Sequence, residues 1–586
     1  MKTDVLAKAM GSPSTRRGLM ACVGFLLSLL GFWTFVQLTE AGPSQRKIAV
    51  LTIVGLYCLA LAATRQPRQS VIVTLLVTLT VWGVSQAKMA YLGTPFVFGD
   101  LVNMVGYNFW WVLWYYAGLA VAFGLVAMVF LALLVWLVTR PAPRVSLVTV
   151  GAAGVLAVML AQPIAELSRS VYVWDRNFDE TAAGISTFTA SAVWWWASGG
   201  NSVTLYDVAR TPLDDPAASD GGAPSSPRPN IFMVLEESVF DPRVLGLPVQ
   251  SEVARYFQPP EGLSGALSVH VHGGGTWVSE FAVMSGVDTR AFGDKAYYLP
   301  ALMEKRVHHS LIHALKGQGY RTVVVYSVNG KFMNAENFYR SLGVEEFHVP
   351  SEVASNRSLR QFRDSALYDH ALRLMASNGE GESDDPVFIL VVTISNHGPH
   401  SRAQLPKDAF PEARSWLTRS LGESGLEEYR EYYLRLKQGI ADYEGLKAAL
   451  AERFKARPTL LVRFGDHHPQ FTRRLAEEGG EARESALLTT YFAIEAVNGD
   501  LAARPDWGGG PIDIAYLPTL VLDTAGLPKD QIFEIRRQLM ESCGGRYAGC
   551  SDARKARLHR TLVDRGYLQV DRVELAEVES GPAFYP

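Results

Sequence analysis

Pro229-Asn-Ile-Phe-Met-Val-Leu-Glu-Glu-Ser238 is a short apolar run that ends in two carboxylates, and its centre, Ile231–Leu235, is typical of a buried β-strand. Similar runs recur downstream and alternate with helical patterns. The predicted helices include His308–Gly317 and Glu428–Lys455, and the further predicted strands are Thr322–Tyr326, Val387–Ile394, Thr459–Phe464 and Leu487–Ile494. This alternation predicts an α/β domain with a mostly parallel sheet sandwiched by helices.

Reactive polar residues follow four of these strands. They are Glu236-Glu237-Ser238, Ser327-Val-Asn329, Ser395-Asn-His397 and Asp466-His467. Taken singly, each is equally well a solvated loop residue or a helix cap. Because ligands in such folds gather beyond the carboxyl ends of the strands, the four together predict one site at that edge.

A glycine-rich turn supplies the candidate nucleophile, in His270-Val-His-Gly-Gly-Gly-Thr-Trp-Val-Ser-Glu280. The hydroxyl of Thr276 is a poor nucleophile unless a base or a metal lowers its pKa. Asp466 and His467 are residue types that can hold such a metal. The pattern therefore predicts that Thr276 lies beside a metal site, whereas His270 and His272 are interpreted first as structural histidines.

The first third of the chain is predicted to be a membrane region. Hydrophobic residues make up 48% of the 586 residues, and they are unevenly spread, with the long apolar stretches in this part. Each candidate span is near the ~20 residues that a spanning helix needs. An uncleaved first span is favoured over a signal peptide, since four more spans follow it. The five spans are 18–38, 47–63, 69–91, 112–138 and 146–165.

Basic residues predict the orientation of these spans, since cytoplasmic loops are enriched in lysine and arginine. The loops on the amino-terminal side hold Lys2, Lys8, Arg16, Arg17, Arg65, Arg68, Arg140 and Arg144, and the alternate side holds Arg46, Lys47 and Lys88. The amino terminus is predicted inside, and everything after the fifth span outside. The net charge of −3, with no dense basic cluster in the exported part, argues against a nucleic-acid partner.

Four regions follow from this organisation. Residues 1–165 are the five-span membrane domain, and 166–228 are an amphipathic segment containing Trp194-Trp195-Trp196 followed by a flexible tether. Residues 229–540 are the catalytic domain. Residues 541–586 are a carboxyl-terminal extension, in which Cys543 and Cys550 form either a disulfide in an oxidising compartment or two free thiols.

Four motifs in this order resemble those of the lipoteichoic acid synthase-like phosphoglycerol transferases, within the alkaline phosphatase/sulfatase superfamily. They are Asn230-Ile-Phe-Met-Val-Leu-Glu-Glu-Ser238, Gly273-Gly-Gly-Thr-Trp-Val-Ser-Glu-Phe281, Ser395-Asn-His-Gly-Pro399 and Gly465-Asp-His-His-Pro469. The resemblance covers the whole chain, because that family also has five spans before an external catalytic domain.

The resemblance implies one divalent metal ion, with manganese or zinc favoured and magnesium also admitted by the ligand types. Glu237 is preferred to Glu236 as the carboxylate ligand, because alternation along a strand sends the two to opposite faces. His397 is expected to contact phosphate or transfer a proton. The implied metal ligands are Glu237, Thr276, Asp466 and His467, and the implied substrate-binding residues are His397, His468, Asn334 and Trp277.

The implied function is transfer of a phospholipid headgroup phosphate, through a covalent Thr276 intermediate, to an envelope glycan or glycolipid. Phosphatidylglycerol is the favoured donor. The implied location is the bacterial inner membrane, as a multi-pass protein whose catalytic domain is on the periplasmic or extracellular side.

One segment departs from the family pattern. Lys331–Tyr339 resembles the stretch in which a Trp and an Arg contact glycerol phosphate, yet Met333 and Ala335 stand at those positions. Loss of a guanidinium removes a bidentate phosphate contact, which leaves the headgroup and the acceptor open.

Three alternatives follow from the same motifs. A phosphoethanolamine transferase shares the spans, the threonine and a zinc site but usually carries more disulfides than two exported cysteines can form. Sulfatase chemistry is disfavoured, because the sequence around Thr276 lacks the Cys or Ser modification motif which that activity needs, and a sulfatase-like phosphodiesterase is the less favoured alternative. An inactive sensor or scaffold is disfavoured because all four implied ligands are present.

Overall fold

The computed structural model describes residues 30–40, 42–92, 94–103, 143–171, 184–213, 228–350, 363–376, 385–422, 426–477 and 480–576, without 481, 482, 484 and 485 and with short pieces between 121 and 136. The first predicted span, 18–38, and the fourth, 112–138, fall largely outside these residues. The chain divides into two compact units, one drawn from Met1–Val102 and Tyr116–Gly200 and the other from Asn103–Tyr115 and Asn201–Pro586.

The first unit contains apolar helices. Three of them, over Pro43–Thr64, Pro67–Met89 and Leu147–Arg169, are long and apolar enough to cross a membrane, which indicates a membrane protein. They overlap the second, third and fifth predicted spans. The helices of this unit with complete bounds are α1 (Pro43–Thr64), α2 (Pro67–Leu92), α3 (Leu147–Val171) and α4 (Ile185–Ala197).

The second unit is built on a mixed sheet of eight strands in the order β5-β4-β6-β2-β7-β8-β3-β9. Neighbours from β5 to β7 are parallel, whereas β8 pairs antiparallel with both β7 and β3. The predicted α/β class with a mostly parallel sheet is confirmed. The strands are β2 (Asn230–Glu236), β3 (Leu263–Ser268), β4 (Arg321–Tyr326), β5 (Glu346–His348), β6 (Val387–Val392), β7 (Thr459–Gly465), β8 (Thr489–Val497) and β9 (Ile512–Asp513).

Both faces of this sheet are buried under helices. Along β2, Ile231, Met233 and Leu235 belong to one core cluster, and the alternate residues Phe232 and Val234 belong to a second. The helices are α5 (Ser251–Phe257), α6 (Thr276–Ser285), α7 (Leu299–Leu302), α8 (Leu311–Gly317), α9 (Ala335–Ser341), α10 (Asp364–Ala376), α11 (Pro411–Leu421), α12 (Glu427–Arg453), α13 (Thr472–Glu477), α14 (Leu517–Thr524), α15 (Gln531–Ser542) and α16 (Arg554–Asp564).

The first part of the predicted tether is not a flexible linker. Strand β1 (Thr204–Val208) pairs in parallel with β10 (Arg572–Leu575) in the carboxyl-terminal extension, and Asp571 accepts a hydrogen bond from the backbone N–H of Val203 at 2.8 Å. Val203, Leu205 and Val208 are fully buried. The Pro, Ser and Gly residues of the remaining tether concealed this short apolar strand, and residues 214–227 lie outside the described part.

Some predicted boundaries shift by a few residues. The helix predicted from His308 begins at Leu311, because the side chain of Ser310 caps it by accepting from the His313 N–H. The strand predicted over Leu487–Ile494 is β8, which begins at Thr489 and ends at Val497.

Cys543 and Cys550 are joined by a disulfide in the structure.

Candidate active site

Three adjacent parallel strands bring the predicted site residues to one edge of the sheet. β2 lies between β6 and β7, with Leu235 opposite Val392 and Glu236 opposite Gly465. The strands therefore end at the same level. The residues that follow them are Glu237 after β2, the loop with His397 after β6, and Asp466 and His467 after β7.

The glycine run places Thr276 at the first position of helix α6. Gly273, Gly274 and Gly275 have φ values of 73°, 152° and 92°, a left-handed sequence that residues with a Cβ rarely adopt. Thr276 is half-buried, and its hydroxyl lies near the positive end of the helix dipole. A negative charge that develops on this oxygen is stabilised there.

The side chains of Glu237, Thr276, Asp466 and His467 converge. The Thr276 hydroxyl donates to Glu237 Oε2 at 2.6 Å, and its Oγ1 lies 3.4 Å from His467 Nε2. His467 Nε2 is also 3.4 Å from Glu237 Oε1 and 3.2 Å from Asp466 Oδ2. One ligand atom from each of Glu237, Asp466 and His467 lies within 4.8 Å of the others, so the group can hold a metal ion.

The hydrogen bonds around this group fit a bound cation. His467 Nδ1 lies 2.9 Å from the carbonyl of His468 and donates to it in the neutral tautomer. The lone pair of Nε2 then faces two carboxylates, an arrangement typical of metal-binding histidines. Asp466 Oδ2 is buried and accepts no hydrogen bond from the described residues. A divalent cation would bind these facing electron pairs.

The two carboxylates have opposite pKa shifts. Burial raises the pKa of Asp466 well above its usual value, and the negative charge of Glu237 raises it further. Burial would also raise the pKa of Glu237, but the charges of His467 and His397 when these are protonated, together with hydrogen bonds from Thr276 and Ser238, lower it. The hydrogen bond from the Thr276 hydroxyl therefore favours the ionised form of Glu237.

Three hydroxyl residues hold the ligands in place, a role that the sequence pattern did not assign to any of them. Ser238 donates its hydroxyl to Glu237 Oε1 at 2.9 Å and its N–H to Asp466 Oδ1 at 2.8 Å. Ser279, one turn after Thr276 on α6, donates to the Asp466 carbonyl at 2.7 Å. Thr393 accepts from the Glu237 N–H at 3.1 Å. Ser238 and Ser279 lie within the quoted motifs and Thr393 lies shortly before one, and this position was their signal in the sequence.

Glu236 does not belong to the metal group. It accepts hydrogen bonds from the hydroxyls of Tyr256 and Tyr491, and burial raises its pKa to about 7. Glu280 is likewise buried, where it accepts from Tyr326 at 2.8 Å and from Tyr339 at 2.6 Å. Alternation along the strand therefore separates Glu236 from Glu237, as the sequence pattern predicts.

His397 lies in the loop after β6 and its side chain is exposed. Nδ1 is 2.8 Å from the Gly398 carbonyl, which in the neutral tautomer makes Nδ1 the donor and Nε2 the acceptor. Its charge influences the pKa of Glu237. An exposed imidazole can exchange protons with a substrate, and this role of His397 stays a prediction.

The structure places the other predicted substrate-binding residues in the interior. His468 is fully buried, with Nε2 2.7 Å from the Thr489 carbonyl and its ring 4.0 Å from that of Phe240. Trp277 donates Nε1 to the Tyr297 carbonyl at 2.7 Å, and Asn334 donates to Glu304 at 2.9 Å. These contacts are structural, and binding of substrate by the three residues stays a prediction.

A second acidic group has a different character. His270, Asp288 and Asp513 are also close enough to hold a metal, but Arg290 is 2.7 Å from Asp288 Oδ1 and 2.5 Å from Asp513 Oδ2. The guanidinium already supplies the balancing positive charge. This group therefore forms an internal ion network instead of a metal site.

Comparison with known proteins agrees with this geometry. Residues 229–495 match the Sulfatase family model. The chain is 24% identical over 345 residues to an uncharacterized protein of Haemophilus influenzae. This match covers 57% of this chain and 60% of that protein. It is 25% identical over 250 residues to a Rhizobium meliloti protein named for cyclic beta-1,2-glucan modification. This match covers 41% of this chain and 36% of that protein. The match spans less than two thirds of either relative.

Two solved structures are also similar. Streptococcus pyogenes phosphoglycerol transferase GacH, in complex with sn-glycerol-1-phosphate, is 14% identical with a TM-score of 0.45, over 59% of this chain and 90% of that one. Neisseria meningitidis lipooligosaccharide phosphoethanolamine transferase A is 13% identical with a TM-score of 0.49, over 84% and 92%. The region that matches the Sulfatase family model contains Glu237, Thr276, His397, Asp466 and His467.

Proposed function

We propose that this protein is a membrane-anchored, metal-dependent phosphotransferase that moves a phosphoglycerol headgroup from a phospholipid to an envelope glycan through a covalent phosphoester on Thr276. The observation that carries the proposal is the Thr276 hydroxyl, which donates to Glu237 at 2.6 Å beside Asp466 and His467. A hydroxyl held by a carboxylate at a helix amino terminus is arranged for nucleophilic attack.

Glu237, Asp466, His467 and the oxygen of Thr276 would hold the divalent cation. When bound, the cation lowers the pKa of the Thr276 hydroxyl and stabilises charge on the phosphoryl oxygens. The ligand types suit manganese or zinc and also admit magnesium. Ser238, Ser279 and Thr393 keep the ligand loops at fixed distances, so little reorganisation is needed when a substrate arrives.

In the first step, Thr276 Oγ1 attacks the phosphorus of the donor lipid. Its proton leaves along the hydrogen bond to Glu237, the Oγ1–P bond forms, and the bond from phosphorus to the diacylglycerol oxygen breaks. His397 donates a proton to that departing oxygen. The headgroup phosphate is then an ester of Thr276.

In the second step, a hydroxyl of the acceptor attacks the same phosphorus. His397, deprotonated by the first step, takes the acceptor proton, and the Oγ1–P bond breaks as the new ester forms. Thr276 recovers its proton from Glu237. Glu237 and His397 both return to their starting protonation states. One cycle therefore transfers one headgroup, and the protons balance.

The acceptor is expected to receive single units. Met333 and Ala335 are 4% and 2% exposed and apolar, so neither offers the guanidinium that would bind a glycerol phosphate already present on an acceptor. Loss of such a contact is worth ~1.5–3 kcal/mol, or roughly one to two orders of magnitude in affinity. Repeated extension of a polyglycerol-phosphate chain is disfavoured by that amount.

Mass spectrometry tests the proposed donor. We expect that incubation with phosphatidylglycerol adds a phosphoglycerol mass to the peptide that contains Thr276, and that glycan products carry single units. An adduct formed only from phosphatidylethanolamine would replace the proposal with the phosphoethanolamine alternative. Long polyglycerol-phosphate products would contradict single-unit transfer.

A labelling experiment tests the proposed orientation, which places about eight basic residues inside and three outside. A cysteine introduced at Ser225, in the tether predicted from the sequence, should react with a membrane-impermeant maleimide in intact cells. One introduced at Gln66, between α1 and α2, should react only after permeabilisation. Among the cysteines that the structure describes, Cys58 is 5% exposed and Cys543 and Cys550 are joined in a disulfide, so labelling of these three should be low. The reverse pattern would place the catalytic unit in the cytoplasm and exclude an external acceptor.

A further inference from the structure

The loop that carries His397 lies outside the helices and strands and depends on side chains from elsewhere for its shape. Its first residues are held by Asp364, the first residue of α10. Asp364 Oδ1 accepts from the backbone N–H groups of Ile394 at 3.0 Å and Ser395 at 3.1 Å, and Oδ2 accepts from the Ser395 hydroxyl. The start of the loop is therefore anchored before it reaches His397.

Arg435, on helix α12, holds the other end of the loop. Its Nη1 donates to the His397 carbonyl at 2.9 Å, and its Nη2 donates to the carbonyls of Pro399 at 3.1 Å and Arg402 at 2.8 Å. The guanidinium is 2% exposed. Its Nε donates to Glu431 at 2.8 Å, which balances the buried charge. One side chain thus binds three carbonyls within six residues of the loop.

We infer that Arg435 is a positioning residue that fixes the imidazole of His397 for proton transfer at Thr276. The inference rests on the role proposed for His397. The planar guanidinium presents donors in several fixed directions, and the ammonium of a lysine cannot reach all three carbonyls from one point. Without the arginine fork, the His397 carbonyl would lose its buried donor, and the backbone that sets the direction of the imidazole would relax.

A double-mutant cycle tests this inference on the full-length protein in phosphatidylglycerol-containing vesicles. Arg435→Lys retains the charge, and we expect it to lower kcat about 10- to 100-fold while KM for the lipid changes little, since misplacement of a catalytic group has effects of this size. In a His397→Ala background, the same change should lower kcat less than about twofold further. A side chain that acts only through His397 has nothing left to position there.

A buried arginine elsewhere supplies the matched control. Arg536 is fully buried and donates to the Ser285 carbonyl at 2.8 Å, outside the His397 loop. Any loss caused by Arg536→Lys should be of the same factor with or without His397. If Arg435→Lys does not fold, Glu431→Gln replaces it, because that change removes the partner of Arg435 and should show the same dependence on His397.

Two results would be decisive against these assignments, and they differ. An equal loss from Arg435→Lys in both backgrounds would overturn the inference and make Arg435 a structural residue only, while the proposed function would stand. Wild-type activity of His397→Ala would overturn the proposed proton-transfer role itself, and the positioning role would be lost with it.

Discussion

Thr276→Ala is expected to abolish both the covalent adduct and headgroup transfer, with activity reduced about 10⁴-fold or more, because loss of a nucleophile removes the covalent pathway entirely. The substitution removes only a hydroxyl and a methyl from a half-buried position at the start of α6. Alanine is a favourable helix residue, so the fold should be unaffected. Intact-protein mass spectrometry after incubation with phosphatidylglycerol measures the adduct, and product analysis measures the transfer.

Thr276→Ser is the matched control. Serine keeps the hydroxyl that donates to Glu237 and loses only the methyl, so the variant should still form the adduct and turn over measurably. If Thr276→Ala still formed the adduct, the nucleophile would lie elsewhere. If the serine variant were as inactive as the alanine variant, packing of the methyl group would matter and the hydroxyl assignment would lose its support.

Asp466→Asn is expected to lower metal affinity roughly 100-fold and to reduce activity with it, since even residues that only orient metal ligands contribute up to that factor. Asn retains the acceptor for the Ser238 N–H but loses the negative charge that faces His467 at 3.2 Å. His467→Ala should act in the same direction. Metal content of the purified protein, with activity titrated against added manganese and zinc, measures both effects.

Asp288→Asn provides the control for a buried aspartate outside the proposed metal site. Asp288 is fully buried and paired with Arg290 at 2.7 Å, so its loss should lower the free energy of unfolding but leave metal content unchanged. Equal metal content in the wild type and Asp466→Asn would contradict the ligand assignment. Equal loss of metal in Asp288→Asn would point to the His270 group as the site.

Much of the catalytic fold was predictable from local pattern. The run Ile231–Leu235 is continuously apolar because a central parallel strand is buried on both faces, and the structure has β2 there with every residue buried. The antiparallel pairing of β8 was not predictable, because strand direction depends on the chain path between strands. The strand β1 was missed because its partner β10 lies more than 360 residues away in sequence.

The main residues of the candidate site were also predictable from the sequence. Carboxylates and histidines at strand ends suggested Glu237, Asp466 and His467, and the glycine run suggested Thr276. Whether a residue next to a motif can bind substrate depends on the direction of its side chain, which the sequence pattern does not give. His468 follows His467 directly, yet its ring packs 4.0 Å from that of Phe240, whereas His467 joins Glu237 and Asp466.

The sequence by itself determined the class of the sheet, the apolar helices and the residue types available for chemistry, because these depend on local periodicity and on side-chain identity. Only the tertiary structure decided which groups meet. The 2.6 Å hydrogen bond from Thr276 to Glu237 joins residues 39 apart, and Arg435 binds the His397 carbonyl across 38 residues. Such contacts depend on strand register and helix packing, which distant parts of the chain set together.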